Sequence, residues 1–164
     1  METFTGYGNF EKKLEFGNRL ENLVQKKLIT LGYDARLTPQ DKDNRDPELG
    51  NCDVVCYEFG RPILGIECKL MKEAFRISPY PDNIPLNQSS IDTYSSVDFP
   101  IYILAGQLWT GNLYAAELDE VKQSPHIEQK VDYKRTIIVN YDGKDWFQSH
   151  SLDVVLKHIL KIQS

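Results

Sequence analysis

Two acidic residues and a lysine flank a pair of apolar segments in the first half of the sequence. Asp53 precedes the first segment, and Glu67-Cys68-Lys69 ends the second, with Gly60-Arg61-Pro62 between them. Since side chains alternate faces along a strand, Glu67 and Lys69 should point one way and Cys68 the other. Two carboxylates and an ammonium group on one surface are what metal-dependent phosphodiester hydrolysis requires. The Cys68 carbonyl is a further candidate metal ligand there, and Lys69 is suited to act on the attacking water or on the transition-state charge.

The two apolar segments predict an antiparallel hairpin, rich in Val, Ile, Tyr and Phe. Its register decides whether the acids meet. A two-residue turn alone would set Asp53 across from Cys68, whereas an odd-length connection or a bulge would set it across from Glu67. The site hypothesis requires the second register.

The segment before the hairpin predicts a helix and a loop. Apolar residues at helical spacing predict a helix from about Asn18 to Leu31, with an extension back to Phe10 left open, and Gly32 is a stop signal. A turn into an extended segment should follow up to Leu37. The polar stretch Thr38–Gly50 predicts a loop, in which Asp46 is a reserve metal ligand.

The rest of the chain alternates between helical and extended patterns. Pro85 suits the first turn of a helix running to about Ser95. The nearly continuous apolar run Pro100–Ala105 predicts a central strand covered on both faces. Further predicted elements are strands at Leu113–Ala116 and Thr136–Asn140, a turn at Asp142-Gly143, and a terminal amphipathic helix capped by Ser151. The pattern indicates a mixed α/β fold in a single domain spanning residues 1–164.

These residues resemble the PD-(D/E)XK nuclease superfamily, the restriction-endonuclease-like fold that includes repair nucleases and Holliday junction resolvases. Asp53 matches the first acid, and Glu67-Cys68-Lys69 matches the E-x-K element. Gly17-Asn18-Arg19-Leu20-Glu21 resembles the GxxxE pattern on the first helix of many members. Gln88 matches the glutamine of a QxxxY motif, although Tyr94 lies two places too far along. The resemblance covers about half of the chain, from Gly17 to Tyr94.

The resemblance implies a restriction-endonuclease-like core, with a mixed central sheet flanked by helices. It implies a DNA endonuclease, structure-selective or weakly sequence-specific, that uses Mg²⁺ or Mn²⁺. Glu21, Asp53, Glu67 and the Cys68 carbonyl would hold the metal, Lys69 would be catalytic, and Gln88 would position water or phosphate. RNA as substrate stays open, and resolvase-like relatives imply a homodimer. The alternative function is a nuclease-fold protein that binds nucleic acid or a protein without cutting it.

Each candidate residue also has a structural interpretation. Asn18-x-x-Glu21 is a capping box, although Glu21 shares a helical row with Val24 on the core side. Lys69 could form a surface ion pair with Glu67, and Asp53 could merely begin a strand. These alternatives stay open at the level of sequence.

The three cysteines, Cys52, Cys56 and Cys68, are expected by parity on the hairpin face opposite the acids. We expect them to act as small core residues, because an iron–sulfur cluster normally needs four ligands. An odd number of cysteines and no CxxC pair fit a reducing compartment. We therefore expect a cytoplasmic protein.

The whole composition sets limits on the function. The chain has 164 residues, 41% hydrophobic and 26% charged, which is ordinary for a globular protein. Its net charge of −5 weakens any claim of nucleic-acid binding by bulk charge. The first residues do not form a signal-peptide pattern, and no apolar run reaches membrane-spanning length, so no membrane association is expected.

Overall fold

The computed structural model describes residues 10–39, 52–71, 83–107, 110–131 and 136–161. Within them the chain forms four helices and nine strands. The helices are α1 (Phe10–Thr30), α2 (Gln88–Tyr94), α3 (Leu118–Gln123) and α4 (Leu152–Ile159). The strands are β1 (Asp34–Leu37), β2 (Val54–Glu58), β3 (Arg61–Met71), β4 (Asn83–Asn87), β5 (Ile101–Gln107), β6 (Leu113–Glu117), β7 (His126–Val131), β8 (Thr136–Asp142) and β9 (Phe147–Ser149).

The strands form a mixed six-stranded sheet and an antiparallel three-stranded sheet. The larger sheet has the order β1-β2-β3-β5-β6-β9, in which β3 and β5 run parallel and the other described neighbours antiparallel. The smaller sheet has the order β4-β8-β7. The predicted α/β fold with a mixed central sheet is therefore confirmed at this level.

The larger sheet is covered on both faces by apolar packing. One face packs against α1 and α4, through side chains such as Val24, Ile66 and Leu156. The other face packs against α2, α3 and the smaller sheet, through Ile91, Ile103 and others. Because both faces are covered, β5 is buried at six successive positions from its start, as predicted for a central strand.

Helix α1 begins at Phe10, so the longer of the two predicted versions is correct. Its buried row, Leu20, Val24 and Leu28, has the predicted spacing. The helix ends before Gly32, which adopts a positive φ of 95°, and the Tyr33 N–H then donates to the Leu28 carbonyl at 3.0 Å. The chain leaves this turn directly into β1.

The helix predicted from Pro85 to Ser95 is wrong in its first half. Asn83–Asn87 forms strand β4, and the helix α2 begins only at Gln88. A proline is tolerated in β4 because this strand lies at the edge of the smaller sheet, where it pairs with β8 alone. Ile84 and Leu86 are buried in the second core cluster, the one between the larger sheet and α2, α3 and the smaller sheet. This tertiary packing prevails over the local helix signal.

The later predictions are mostly confirmed. The predicted strands correspond to β6 and β8, a turn follows Gly143, and Ser151 caps α4, its Oγ accepting from the Val154 N–H at 3.4 Å. Strands β7 and β9 and helix α3 were not predicted. The predicted loop and the reserve ligand Asp46 lie outside the described residues, apart from Thr38 and Pro39.

None of the helices in the described ranges combines the length and the apolar character needed to cross a bilayer.

Candidate functional site

The β2–β3 hairpin has the register that sets the two acids opposite each other. Val54 pairs with Ile66, so the next position of the ladder sets Asp53 across from Glu67. The turn itself has two residues, but a bulge in β3 just after the turn shifts the register, because Cys56 pairs with Leu64 while Tyr57 pairs with Pro62. Ile63 is the extra residue. A two-residue turn and a bulge thus combine to give the register that the site hypothesis requires.

Asp53 lies immediately before β2 begins, at the point where β3 continues past its last β2 partner, Ile66. Its Oδ2 accepts a hydrogen bond from the Cys68 N–H at 2.8 Å, an amide beyond the last β2 partner of β3. The Asp53 carbonyl accepts from the Thr38 N–H at 2.9 Å, which joins the same residue to the end of β1. Asp53 is therefore fixed by its neighbours on both sides.

Glu67 points to the face of the sheet that packs against α2. Its carboxyl group hydrogen-bonds with the Tyr94 hydroxyl and with the Asp53 carboxyl. Two carboxyl groups can share a hydrogen bond only if one keeps its proton. The second oxygen, Oε2, is buried and has no hydrogen-bond partner among the residues that the structure describes. A buried oxygen of this kind is costly to leave unsatisfied.

The pKa of Glu67 is raised well above its usual value. Burial is the largest cause, followed by the negative charge of Asp53. The Tyr94 hydroxyl and the Lys69 ammonium group act in the opposite direction and lower this pKa. Burial beside a second acid therefore outweighs the stabilising contacts of the Glu67 carboxylate.

Glu21 reaches the same cluster from α1. Burial and then the charge of Asp53 raise its pKa to about 7. The capping-box interpretation is wrong, because α1 begins at Phe10 and Glu21 lies well inside the helix. The structure thus brings together Glu21, Asp53 and Glu67, the three acids selected from the sequence.

Lys69 lies on the same face of β3 as Glu67, two residues further along. Its backbone neighbour on β5 is Ala105, and that of Glu67 is Ile103. Both neighbours belong to the second core cluster, which identifies the face. The lysine is near enough to Glu67 to lower its pKa, and it remains partly exposed. The ammonium group can therefore be reached from solvent beside the two acids.

Helix α2 contributes a tyrosine to the site, not the glutamine carried over from the resemblance. Gln88 donates from Nε2 to Asp92 Oδ1 at 3.0 Å on the exposed side of α2. Tyr94, at the end of the same helix, is only 5% exposed and hydrogen-bonds Glu67. Burial and the Glu67 charge raise the pKa of its hydroxyl far above the usual value. In the sequence Tyr94 stands out only as the displaced tyrosine of the QxxxY pattern, and the packing of α2 on β3 reveals its contact with Glu67.

The cysteines do not all share a face, contrary to the parity argument. Cys56 belongs to the core cluster under α1, whereas Cys52 belongs to the cluster on the opposite face. The alternation of β2 begins only at Val54, so it does not extend back to Cys52. Burial and the neighbouring acids raise the pKa of the Cys52 thiol to about 12 and that of Cys68 well above its usual value. Protonated thiols are poor metal ligands, so the carbonyl is the useful group of Cys68.

The chemistry of the acid cluster fits a hard divalent cation. Within the described ranges, no three His, Cys, Asp or Glu side chains form a ready-made metal cage. Mg²⁺, however, is commonly held by one or two carboxylates and several waters. Among the described residues, Glu67 Oε2 has no partner, and the Asp53 and Glu67 carboxyl groups hydrogen-bond each other. Both features are expected of a carboxyl pair that lacks a cation. A cation that replaced the proton would satisfy both groups.

Comparison of the chain with models of protein families, with curated proteins and with solved structures finds no match in any of the three.

Proposed function

We propose that this protein is a metal-dependent nuclease of the PD-(D/E)XK type, with a restriction-endonuclease-like core, that cuts DNA. The observation that carries the proposal is the hairpin register, which sets Asp53 opposite Glu67 with Lys69 on the same face. Glu21 adds a third acid from a different element. These three acids and one lysine come from three parts of the fold, and all four suit phosphodiester hydrolysis. Together they support a catalytic role better than any one of them alone.

In this proposal Asp53, Glu67 and the Cys68 carbonyl oxygen would hold Mg²⁺, with Mn²⁺ as substitute. Glu21 would act through water, in keeping with the two-carboxylate sites that Mg²⁺ accepts. When bound, the ion would neutralise charge on the scissile phosphate and lower the pKa of a water molecule.

The side chains have separate tasks. Lys69, partly exposed beside Glu67, orients the attacking water or stabilises charge on the phosphate. The Asp53 carboxylate is held by the Cys68 N–H, so the ligand is pre-oriented by the backbone. Tyr94 fixes the rotamer of Glu67 through its hydroxyl.

The experiment is a cleavage assay on branched, linear duplex and single-stranded DNA, and on RNA, with Mg²⁺ or Mn²⁺. We expect cleavage by wild type and its loss in Lys69→Ala and Asp53→Asn. Lys144→Ala and Asp145→Asn, on the exposed turn between β8 and β9, are matched controls that should retain activity.

A second candidate function is binding of nucleic acid or protein without cleavage. Within this function, the net charge of −5 favours a protein partner over nucleic acid, since phosphate contacts depend on positive charge. Binding of a substrate without cleavage in either metal would support this function and refute the enzyme. Equal activity of wild type and Lys69→Ala would refute the assigned site.

A further inference from the structure

The tip of the β2–β3 hairpin carries a phenyl ring that the fold does not use. Phe59 is 96% exposed, and both turn residues have positive φ, 50° at Phe59 and 76° at Gly60. Two positive φ values are those of a type I′ turn, for which Asn-Gly is the preferred pair. A bulky residue is strained in this conformation. The turn therefore carries both backbone strain and an exposed ring, and neither stabilises the monomer.

A cavity of about 460 Å³ opens beside the base of the same tip. It lies at the end of the sheet where β2 ends and β3 and β5 begin. Its walls include the aromatic and apolar side chains Tyr33, Tyr57, Ile63, Tyr102 and Leu160. The Arg36 guanidinium carbon lies 4.2 Å from the centroid of the Tyr57 ring, which holds that wall in place. Cavities of this volume are large enough to bury an aromatic side chain.

The exposed ring and the cavity lie on one surface. Glu58 is next to Phe59 in the chain and also lines the cavity, so a projection and a recess are adjacent. A two-fold symmetric interface requires this arrangement, because each copy must present both halves of the contact. We propose that the hairpin tip and this cavity form a self-complementary interface between two copies of this chain, with Phe59 of each copy in the cavity of the other.

The charges on the hairpin tip and on the walls of the cavity are also complementary. Arg61 is exposed immediately after the tip, and the cavity is lined by the carboxylates of Glu58 and Glu117 and by Lys161. In the proposed contact, the Arg61 guanidinium of one tip would face a cavity that carries the Glu117 carboxylate of the second copy, and the Glu58 of the tip would face Lys161. Opposite charges at the rim favour this pairing over other orientations.

The interface is independent of the acid cluster. Asp53 precedes β2 and Phe59 follows it, so a five-residue strand, roughly 17 Å long, separates them. Both acid clusters therefore lie outside the contact. The dimer does not depend on the proposed nuclease activity and can be tested without it.

The test is the mass of the full chain measured by sedimentation equilibrium over a wide range of concentration. We expect wild type to pass from monomer to dimer. Phe59→Asn should weaken the association at least ~10-fold, as for a residue at the centre of an interface. Asn suits the turn, so this variant should fold. Ile29→Asn, at a position 53% exposed on α1, is the control for the loss of any exposed apolar side chain and should dimerise like wild type.

Charge exchange and crosslinking test whether the hairpin tip and the cavity are the surfaces that meet in the dimer. Arg61→Glu and Glu117→Arg should each weaken the dimer, and the double variant should restore it. A photoreactive phenylalanine analogue at position 59 should crosslink to the walls of the cavity in the second copy. A monomer at every concentration, unchanged association of Phe59→Asn, or crosslinks to another surface would each overturn the proposal.

Discussion

The two ends of the β2–β3 hairpin are each energetically unfavourable, but for different physical reasons. At one end, Asp53 and Glu67 are partly buried carboxyl groups that share a proton, and the pKa of Glu67 is raised. At the other end, Phe59 combines a positive φ with almost complete exposure. One end is unfavourable because acidic groups are buried close together, and the other because apolar surface is exposed. We infer that the first end binds a cation and the second binds a protein surface.

The two ends also differ in the contacts that hold their side chains in place. The acid end is held by specific hydrogen bonds, from Cys68 N–H to Asp53 and from Tyr94 to Glu67. At the tip, the structure describes instead an exposed ring on a turn with two positive φ values, between paired strands. Changes at the acid end should therefore have larger effects than changes at the tip.

The largest effect should come from removing a charge at the acid end. Asp53→Asn keeps an oxygen able to accept from the Cys68 N–H but removes a metal ligand. We expect cleavage to fall by roughly 100-fold or more, while the melting temperature without metal rises, because repulsion between the acids is relieved. Kinetics and thermal unfolding of the same preparation measure both. A parallel loss of activity and stability would indicate a structural role for Asp53.

An intermediate effect should come from Tyr94→Phe, which removes the hydroxyl that holds Glu67. Loss of one hydrogen bond should lower the free energy of unfolding by about 1 kcal/mol. A positioning role also predicts that more Mg²⁺ is needed for half-maximal cleavage and that high Mg²⁺ restores the rate. If the rate falls and added metal does not restore it, Tyr94 acts in another way.

The elements of the acid end could be predicted from the sequence better than their contacts. Helix α1 and the hairpin follow from apolar spacing alone. The register did not, because the bulge at Ile63 has no local signature such as a glycine. Pro85 fits both a helix start and an edge strand, and only pairing with β8 decides between them. The Tyr94–Glu67 contact depends on how α2 packs, which no local pattern encodes.

The pH dependence of stability should report the charge of Glu21. Its folded pKa, about 7, lies above the usual value, so folding favours the protonated form. Stability from this source is full at low pH and is lost as pH rises through about 7. Without metal, the melting temperature of wild type should therefore fall relative to Glu21→Gln between about pH 5 and about pH 8. Parallel curves for the two proteins would contradict the burial of Glu21 beside Asp53.

The smallest effect should come from the tip. In dilute solution, where the chain is monomeric, Phe59→Asn replaces a strained residue by one suited to a type I′ turn. We expect it to raise the free energy of unfolding by about 0.5–1 kcal/mol. Denaturant unfolding at low protein concentration measures this gain. A loss of stability would mean that Phe59 packs within its own chain, and the contrast between the two ends would fail.

Binding of Mn²⁺ to the protein without nucleic acid tests the central claim most directly, because it does not depend on finding the right substrate. Titration followed by electron paramagnetic resonance should show Mn²⁺ bound to wild type and to the control Asp145→Asn. Binding should be weakened at least ~10-fold in Asp53→Asn and in Glu67→Gln. Failure of wild type to bind Mn²⁺, or equal binding by all four proteins, would contradict a metal site at the acid end of the hairpin.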